Sequence, residues 1–538
     1  MTDIKLMTMT LLLMFVGVTS ADEILSVVSG KVSDIDTGET LPFAKVRIKD
    51  TNRVSTANQD GLFTILDVPL DSTLVITKMG FENNEIKVSP NTQRLIINLS
   101  KFEKDNLIEE VIVTAARSQK MHQSGISQFS LSPELTSSLP NLGEQDIFRS
   151  MQLLPGVSGS NESSSGLVVR GGTIDQNLVL FDDYTVYHVD HVFGFFSAFN
   201  NNAIKDVQFY KGGFGAKYGG RMSSVVDITG KDGNTEQFNI GGGASLLSTN
   251  TIIETPFADG AGSFILTGRK SYQSDFYNDI LESVTGENQN AQAGISTPGQ
   301  FALGRFEIEP ESYFYDLNAK LTYRLPNDDK FSISFYNGAD ELDNSRDVNG
   351  NANLDRVCEL LNVNGPFGGT YCEEEISFDV GTVDLSEWGN TGISAKYSHQ
   401  WNERLDTNFV LSGSEYFSYR DRLINTQVIY EDSDDDPTIG ESSSNEDNQL
   451  DDLTMKIEND YFLNQWNTLS FGLQYTQQNI DFSLMQNGDL VLETQNEANT
   501  SMIYIEDEVV IDNLTIIPGL RVSRYDISDE FYMEPRLS

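Results

Sequence analysis

Beyond residue 234 the chain alternates apolar and polar residues with a period of two. In Tyr315-Asp316-Leu317-Asn318-Ala319-Lys320-Leu321-Thr322-Tyr323 the odd positions are apolar and the even ones polar. Leu469-Ser470-Phe471-Gly472-Leu473-Gln474-Tyr475-Thr476 repeats the arrangement, and Met455 to Tyr461 follows it with Asn459 out of phase. A period of two is the mark of a strand with unlike faces. The connections narrow the choice further. Tight polar turns at 325–329, 402–404, 464–465 and 512–513 alternate with long polar stretches at 271–312, 337–387, 421–450 and 481–500. A soluble sandwich also alternates along its strands, but short turns on one side and long loops on the other are the pattern of a membrane-spanning β-barrel. The pattern gives about ten strands, with Tyr532 beginning an eleventh. No stretch apart from the N-terminus approaches the roughly 20 apolar residues of a spanning helix. A chain of this kind crosses a membrane only as a closed sheet.

The N-terminus carries a short apolar run, Leu11 to Val18, preceded by Lys5 and followed by Thr19, Ser20 and Ala21. This is a secretory signal pattern, and residues 1–21 are expected to be removed. The formal charge of −44 argues against nucleic acid, which binds basic faces. From 22 to 100 short alternating strands and turns follow one another: Val28-Ser29-Gly30-Lys31-Val32, Ala44-Lys45-Val46-Arg47-Ile48, Leu62-Phe63-Thr64-Ile65, Thr73 to Thr77 and Leu95 to Leu99. Roughly seven such strands predict a small antiparallel sandwich. Gly38 with Leu41-Pro42-Phe43-Ala44, Asp60-Gly61-Leu62-Phe63 and Lys78-Met79-Gly80-Phe81 resemble the carboxypeptidase-regulatory-like domain. The segment contains no His or Cys, so metal or thiol catalysis within it is not expected.

Between these regions Leu167-Val168-Val169-Arg170-Gly171-Gly172, Asn177 to Asp183, Phe193 to Asn200 and Phe209-Tyr210-Lys211-Gly212-Gly213-Phe214-Gly215-Ala216-Lys217-Tyr218-Gly219-Gly220-Arg221 alternate short apolar strands with glycine pairs. Such a stretch suits a compact sheet with tight turns. Apolar residues at 147, 148, 151 and 154 predict a helix within 141–154, ended by Pro155-Gly156. The order and spacing of these pieces resemble the plug domain of TonB-dependent outer-membrane receptors. The resemblance implies a sandwich at 22–100, a linker at 101–116, a plug at 117–233 and the first part of a transmembrane barrel at 234–538. The fold class is then mainly β, with an α+β plug and twenty-two strands in the complete barrel. In receptors of this kind the closing Glu534-Pro535-Arg536-Leu537-Ser538 falls mid-barrel, so the chain is expected to be C-terminally truncated.

Glu110-Val111-Ile112-Val113-Thr114-Ala115, a β-branched run between sandwich and plug, resembles a TonB box. It would add as a strand to the sheet edge of TonB in the periplasm, Val111 and Val113 supplying selectivity. Its other reading is a strand of one of the flanking domains. Arg170, Gly171, Gly172 and Arg221 lie in the plug-like motifs. The two arginines are expected to latch the plug to carboxylates on the barrel wall.

Other chemistry is sparse. His188 and His191 stand three apart beside Asp190, a weak metal pair without further ligands. Gly212-Gly213-Phe214-Gly215 lacks the ending of a phosphate loop, and no nucleophile elbow or Cys-pair metal motif occurs. No enzyme activity is expected. Cys358 and Cys372 share one long loop and suit a disulfide contributing about 3 kcal/mol. Asp347, Asn349, Asn351, Asn353 and Asp355 place an oxygen at every second residue, a calcium candidate that departs from the EF-hand spacing. Asp432 to Asp436 reads as a solvated acidic run. The resemblance implies TonB-driven import of a scarce or bulky nutrient through outer-membrane lipid. A ligand sensor that signals instead of importing is the alternative, and a surface lipoprotein partner is left open.

Overall fold

The computed structural model describes residues 25–538 except 90–93, 103–121, 124–126, 134–143, 160–165, 193, 195, 246, 273–310, 354–374, 431–437 and 512–513. The signal segment, the Glu110 to Ala115 run, Asp355, Cys358, Cys372 and Asp432 to Asp436 therefore lie outside the described residues.

The N-terminal unit is a sandwich of a three-stranded and a four-stranded sheet. Leu25–Asp34 lies between Leu62–Pro69 and Arg94–Leu99 in the first. Lys45–Ile48 and Thr73–Thr77 lie between Val54–Thr56 and Asn84–Lys87 in the second. Val28, Val32, Val46, Phe63, Leu74, Ile76 and Ile97 interlock between the sheets, all buried. One pairing departs from the antiparallel expectation: Leu25–Asp34 runs parallel to Arg94–Leu99. A parallel neighbour needs a long crossover, and the intervening chain, which passes through the other sheet, supplies it.

The second unit is built on a six-stranded sheet. Its centre is Ser224–Gly230, parallel to Asn177–Phe181 on one side and antiparallel to Ile204–Tyr210 on the other. Gln128–Leu131 follows Ile204–Tyr210. The helix is shorter than the apolar spacing suggests, Ile147–Gln152, but Ile147, Phe148, Met151 and Leu154 are all buried. Asp146 sets its start: the carboxylate accepts from the amides of Phe148 at 2.8 Å and Arg149 at 3.1 Å. Its other oxygen accepts from the Ser197 amide at 2.7 Å, which ties the helix to the Phe196–Ser197 strand.

The third unit is one antiparallel sheet whose main path holds twelve strands, from Asn239–Ala244 to Glu530–Leu537. Arg346–Asn353 and Leu514–Ile516 pair beside that path, so the strands exceed the number expected. The expected strands are also longer than their alternation suggests. The polar stretches 421–450 and 481–500 were expected to be loops, yet Leu405–Tyr430, Thr438–Asn464, Asn467–Gln486 and Asp489–Ile511 carry the ladder through them. Backbone hydrogen bonds need no apolar side chain, so strands solvated on both faces lose the alternation that signals them. Asn487 and Gly488, with φ of 53° and 83°, make the tight turn that joins two of these strands. Residues 347–353 of the calcium candidate form a strand paired with 375–381, and Asp355 lies outside the described residues.

The polarity of this sheet decides what it is. Along Glu311–Arg324 the buried positions include Asp316, Asn318, Lys320 and Thr322, while Tyr313, Tyr315, Leu317 and Leu321 are exposed. Ile503 and Ile505 likewise point out, and Met502 and Tyr504 in. A soluble protein buries the apolar face. Here the apolar face is outward and the polar face inward, as a barrel in lipid requires. The second unit sits against the polar inner face.

Candidate functional site

Among the described residues, three networks stand out in the contact between this inner domain and the polar wall. On the long-connection side His191 is the centre. Asp190–His191 pairs with Phe196–Ser197 in a short ribbon that presents the imidazole to the wall. Its Nδ1 lies 2.5 Å from Asp340 Oδ2 and its Nε2 2.7 Å from Asp316 Oδ1. The ring is 1% exposed and stacks on Phe314 at 4.4 Å between centroids. Burial pushes the imidazole pKa down, but Asp316 and Asp340 outweigh it and raise it to about 10. His191 is thus an imidazolium held by two carboxylates. Arg269 adds to the same knot, donating to Asp316 Oδ2 at 2.6 Å and to the Ser197 carbonyl at 2.7 Å, with Glu144 at 3.3 Å. The metal pair suggested by spacing does not form: both His191 nitrogens are occupied, and His188 lies beside Trp388 and Tyr416, its Nε2 3.3 Å from Asp190.

On the short-turn side the charges are reversed across the interface. Carboxylates come from the inner domain and lysines from the wall. Asp232 receives Lys330 at 3.1 Å, Lys320 at 3.3 Å and Lys205 of its own domain at 2.7 Å, and accepts from Thr322 at 3.2 Å. Asp182 receives Lys320 at 3.0 Å. Asp183 receives Lys456 at 3.3 Å, with Lys396 at 3.8 Å. Burial raises the pKa of Asp183, but Lys456 and Lys396 outweigh it and hold it at about 2. Burial acts on Asp232 in the same sense, and Lys205, Lys330 and Lys320 hold its carboxyl well below the ordinary range. The wall lysines share a lane because the register puts them there. Lys396 and Lys456 both pair with Val410 from opposite sides, and Lys320 pairs with Ser334, two positions along from the Ser332 that pairs with Lys396.

The third network clamps the glycine-rich 212–220 loop. Glu506 Oε2 accepts from the Ala216 amide at 2.5 Å, Arg521 donates to the Lys217 carbonyl at 3.0 Å, and Arg536 to the Gly215 carbonyl at 2.6 Å. A Cβ at Gly219 would stand 2.5 Å from the Arg521 guanidinium carbon, so a side chain there would have to displace that guanidinium.

The residues expected to latch the domain are placed elsewhere. Arg170 is exposed and donates to Ser127 Oγ of its own domain at 2.8 Å, and Arg221 donates to the Gly220 carbonyl at 3.1 Å. Neither has a wall carboxylate among the described residues. The motif shapes a turn instead: Gly171 adopts φ 81°, and a Cβ on Gly172 would meet Ser223 Oγ at 2.6 Å. Sequence reading passed over Asp182, Asp183, Asp232 and the wall lysines. A signal was present. After residue 239 only Lys270, Lys320, Lys330, Lys396 and Lys456 occur, and the last four are turned inward.

Three family models match the chain. A CarboxypepD_reg-like domain covers 28–113, a TonB-dependent receptor plug domain 136–226, and a TonB-dependent receptor-like β-barrel 322–533. The chain belongs to the TonB-dependent receptors. The inner domain is their plug and the polar-faced sheet is barrel wall, which places the receptor in the outer membrane. Among solved structures it is similar to the outer membrane transporter YddB from Escherichia coli, at 12% identity and TM-score 0.47, over 76% of this chain and 58% of that one. It is also similar to a mutant ferric enterobactin receptor, PfeA, from Pseudomonas aeruginosa, at 16% and 0.48, over 79% and 61%. The ferric citrate transporter FecA in its unliganded form gives 13% and 0.44, over 78% and 60%. The receptor chain spans about three fifths of the length of these structures. No curated protein matches it by sequence.

Proposed function

We propose that the receptor imports a ligand across the outer membrane through a lumen that the plug closes until TonB withdraws it. One observation supports this most directly: the plug is held to the wall largely by ion pairs and hydrogen bonds between polar faces. An apolar seam would resist separation through its hydrophobic term. A polar seam exchanges its partners for water as it opens, so a modest pull from one end undoes it contact by contact. Energy comes from outside the chain, and no covalent step on the ligand is involved.

The pull enters at Glu110 to Ala115. A β-branched segment joining two domains suits strand addition, in which its amides and carbonyls extend a sheet edge of TonB. Proline removes a donor and cannot continue the ladder. Val113→Pro is expected to weaken binding of the purified periplasmic domain of TonB to the detergent-solubilised receptor at least tenfold, with the receptor's outer-membrane level unchanged. Equal binding by wild type and variant would sink the assignment of the box.

A further inference from the structure

The N-terminal sandwich is packed into the receptor's short-turn mouth. Its 58–61 turn is the tip. Asn58 Oδ1 accepts from the amides of Asp60 at 2.9 Å and Leu62 at 3.0 Å, and Gly61 takes φ 73°, so the tip is preformed. Asp60 at its end is 3% exposed. Ser398 Oγ of the wall donates to it at 2.7 Å, and Lys330 Nζ stands 2.9 Å away. Burial raises its pKa, and Lys330 and Lys396 outweigh that and hold the carboxyl far below the ordinary range. Next to it Lys396 donates to Gln59 Oε1 at 2.6 Å. These are the lysines that also hold the plug carboxylates Asp232 and Asp183.

Further contacts join the sandwich to the plug and to residue 235 just beyond it. Glu39 Oε1 accepts from the Asp232 amide at 2.9 Å, and the Thr37 carbonyl from the Thr235 amide at 2.9 Å. Lys78 pairs with Asp206 at 2.8 Å, its side chain 9% exposed and the aspartate's 1%. Met79 packs against the plug core. A domain merely tethered below the barrel has no reason to bury a carboxylate in the lumen.

We propose that the sandwich is a second stopper, seated from the periplasmic side, whose Asp60 completes the luminal lysine network beneath the plug. This rests on the reading of the receptor as a plug-gated importer. Opening the lumen then takes two withdrawals that share one set of cations. The sandwich takes Asp60 away from Lys330 and Lys396, and the plug takes Asp232 and Asp183 away from the same two lysines. Elsewhere the sandwich faces plug and wall across a cavity of about 1020 Å³, lined by Arg53 and Lys78 from the sandwich, Gln128 and Gln208 from the plug, and Asp406, Asp460 and Glu508 from the wall.

Hydrogen exchange on the receptor in lipid nanodiscs tests the seat. Asp60→Lys sets a cation against Lys330 and Lys396. It is expected to cut protection of the Asp232 and Thr235 amides at least tenfold while protection within Leu25–Asp34 stays unchanged. Unchanged Asp232 and Thr235 protection in Asp60→Lys overturns the seat. Should Asp60→Lys unfold the sandwich, the isosteric Asp60→Asn, expected to give a smaller loss at the same two amides, decides in its place. Planar-bilayer conductance tests the stopping. Asp183→Asn with His191→Gln loosens the plug without touching a sandwich contact. Adding Asp60→Lys to that pair is expected to raise conductance severalfold. Equal conductance in double and triple variants overturns the stopper. Silence of every variant, the triple included, overturns the plug-gated reading itself, while the exchange data still decide the seat.

Discussion

The two ends of the plug are held by opposite arrangements of charge. On the long-connection side the wall carboxylates Asp316 and Asp340 hold the plug cation His191, and one pair of the other polarity, wall Arg269 with plug Glu144, stands beside them. On the short-turn side the wall supplies lysines and the plug supplies Asp182, Asp183 and Asp232. The first is compact, with one ring wedged between two acids and stacked on Phe314. The second is spread over wall strands from Glu311–Arg324 to Thr438–Asn464. A plug turned end for end would bring like charges together. The difference therefore fixes orientation as well as holding the plug, which like charges do effectively and apolar packing does poorly.

The comparison breaks most visibly at its hub. Asp232→Ala leaves Lys205, Lys320 and Lys330 facing one another, and removing one partner of a buried charged set costs about 3–5 kcal/mol. Hydrogen exchange in Ser224–Gly230, the plug strand that leads to residue 232, is expected to accelerate accordingly, with Phe196–Ser197 little changed. Equal acceleration at both would show that the two ends are one cooperative unit. His191→Gln is expected to give the converse, about 3 kcal/mol read at Phe196–Ser197 at pH 6.

A pH titration separates the ends without mutation. The folded His191 pKa of about 10 exceeds the unfolded value near 6.5, so its stabilisation is complete below about pH 6.5 and is lost as pH rises through 10. Asp183 and Asp232 of the other network are already ionised throughout that window, Asp183 with a pKa of about 2. Raising the pH from 6.5 to 10 is expected to loosen the His191 end first, and His191→Gln to remove that dependence. A pH-independent Phe196–Ser197 exchange in wild type would refute the imidazolium. The smallest effect is expected for Arg170→Ala, within about 0.5 kcal/mol, because the side chain is exposed and bonds only within the plug. A large loss there would return the latch to Arg170.

How far the sequence discloses these ends depends on the range of the interaction. The wall was legible in Tyr315 to Tyr323, because alternation is a property of neighbours. So was the helix, from the spacing of Ile147, Phe148, Met151 and Leu154. The partner of Lys320 was not, since Asp182 lies 138 residues earlier and only the register and the seating of the plug bring them together. Arg170 and Arg221 drew attention because guanidinium forks suit carboxylates, whereas a lone lysine on an alternating strand reads as a solvated face. The Asn487-Gly488 pair is a strong hairpin signal, but it was submerged in the polar 481–500 stretch.

Those continued strands have a consequence for reach. Glu375–Asn402 runs for 28 residues, while a bilayer takes up about 9–11 tilted residues of a strand. Some 15 residues or more remain, about 50 Å of paired ribbon along the strand, or about 35 Å of height at the usual tilt. With Leu405–Tyr430 and Thr438–Asn464 beside it, this makes a stiff collar on the long-connection side. Its acids include Asp421, Glu446 and Asp447. On the proposed import route, a solute approaching from outside meets that acidic parapet before it reaches the plug.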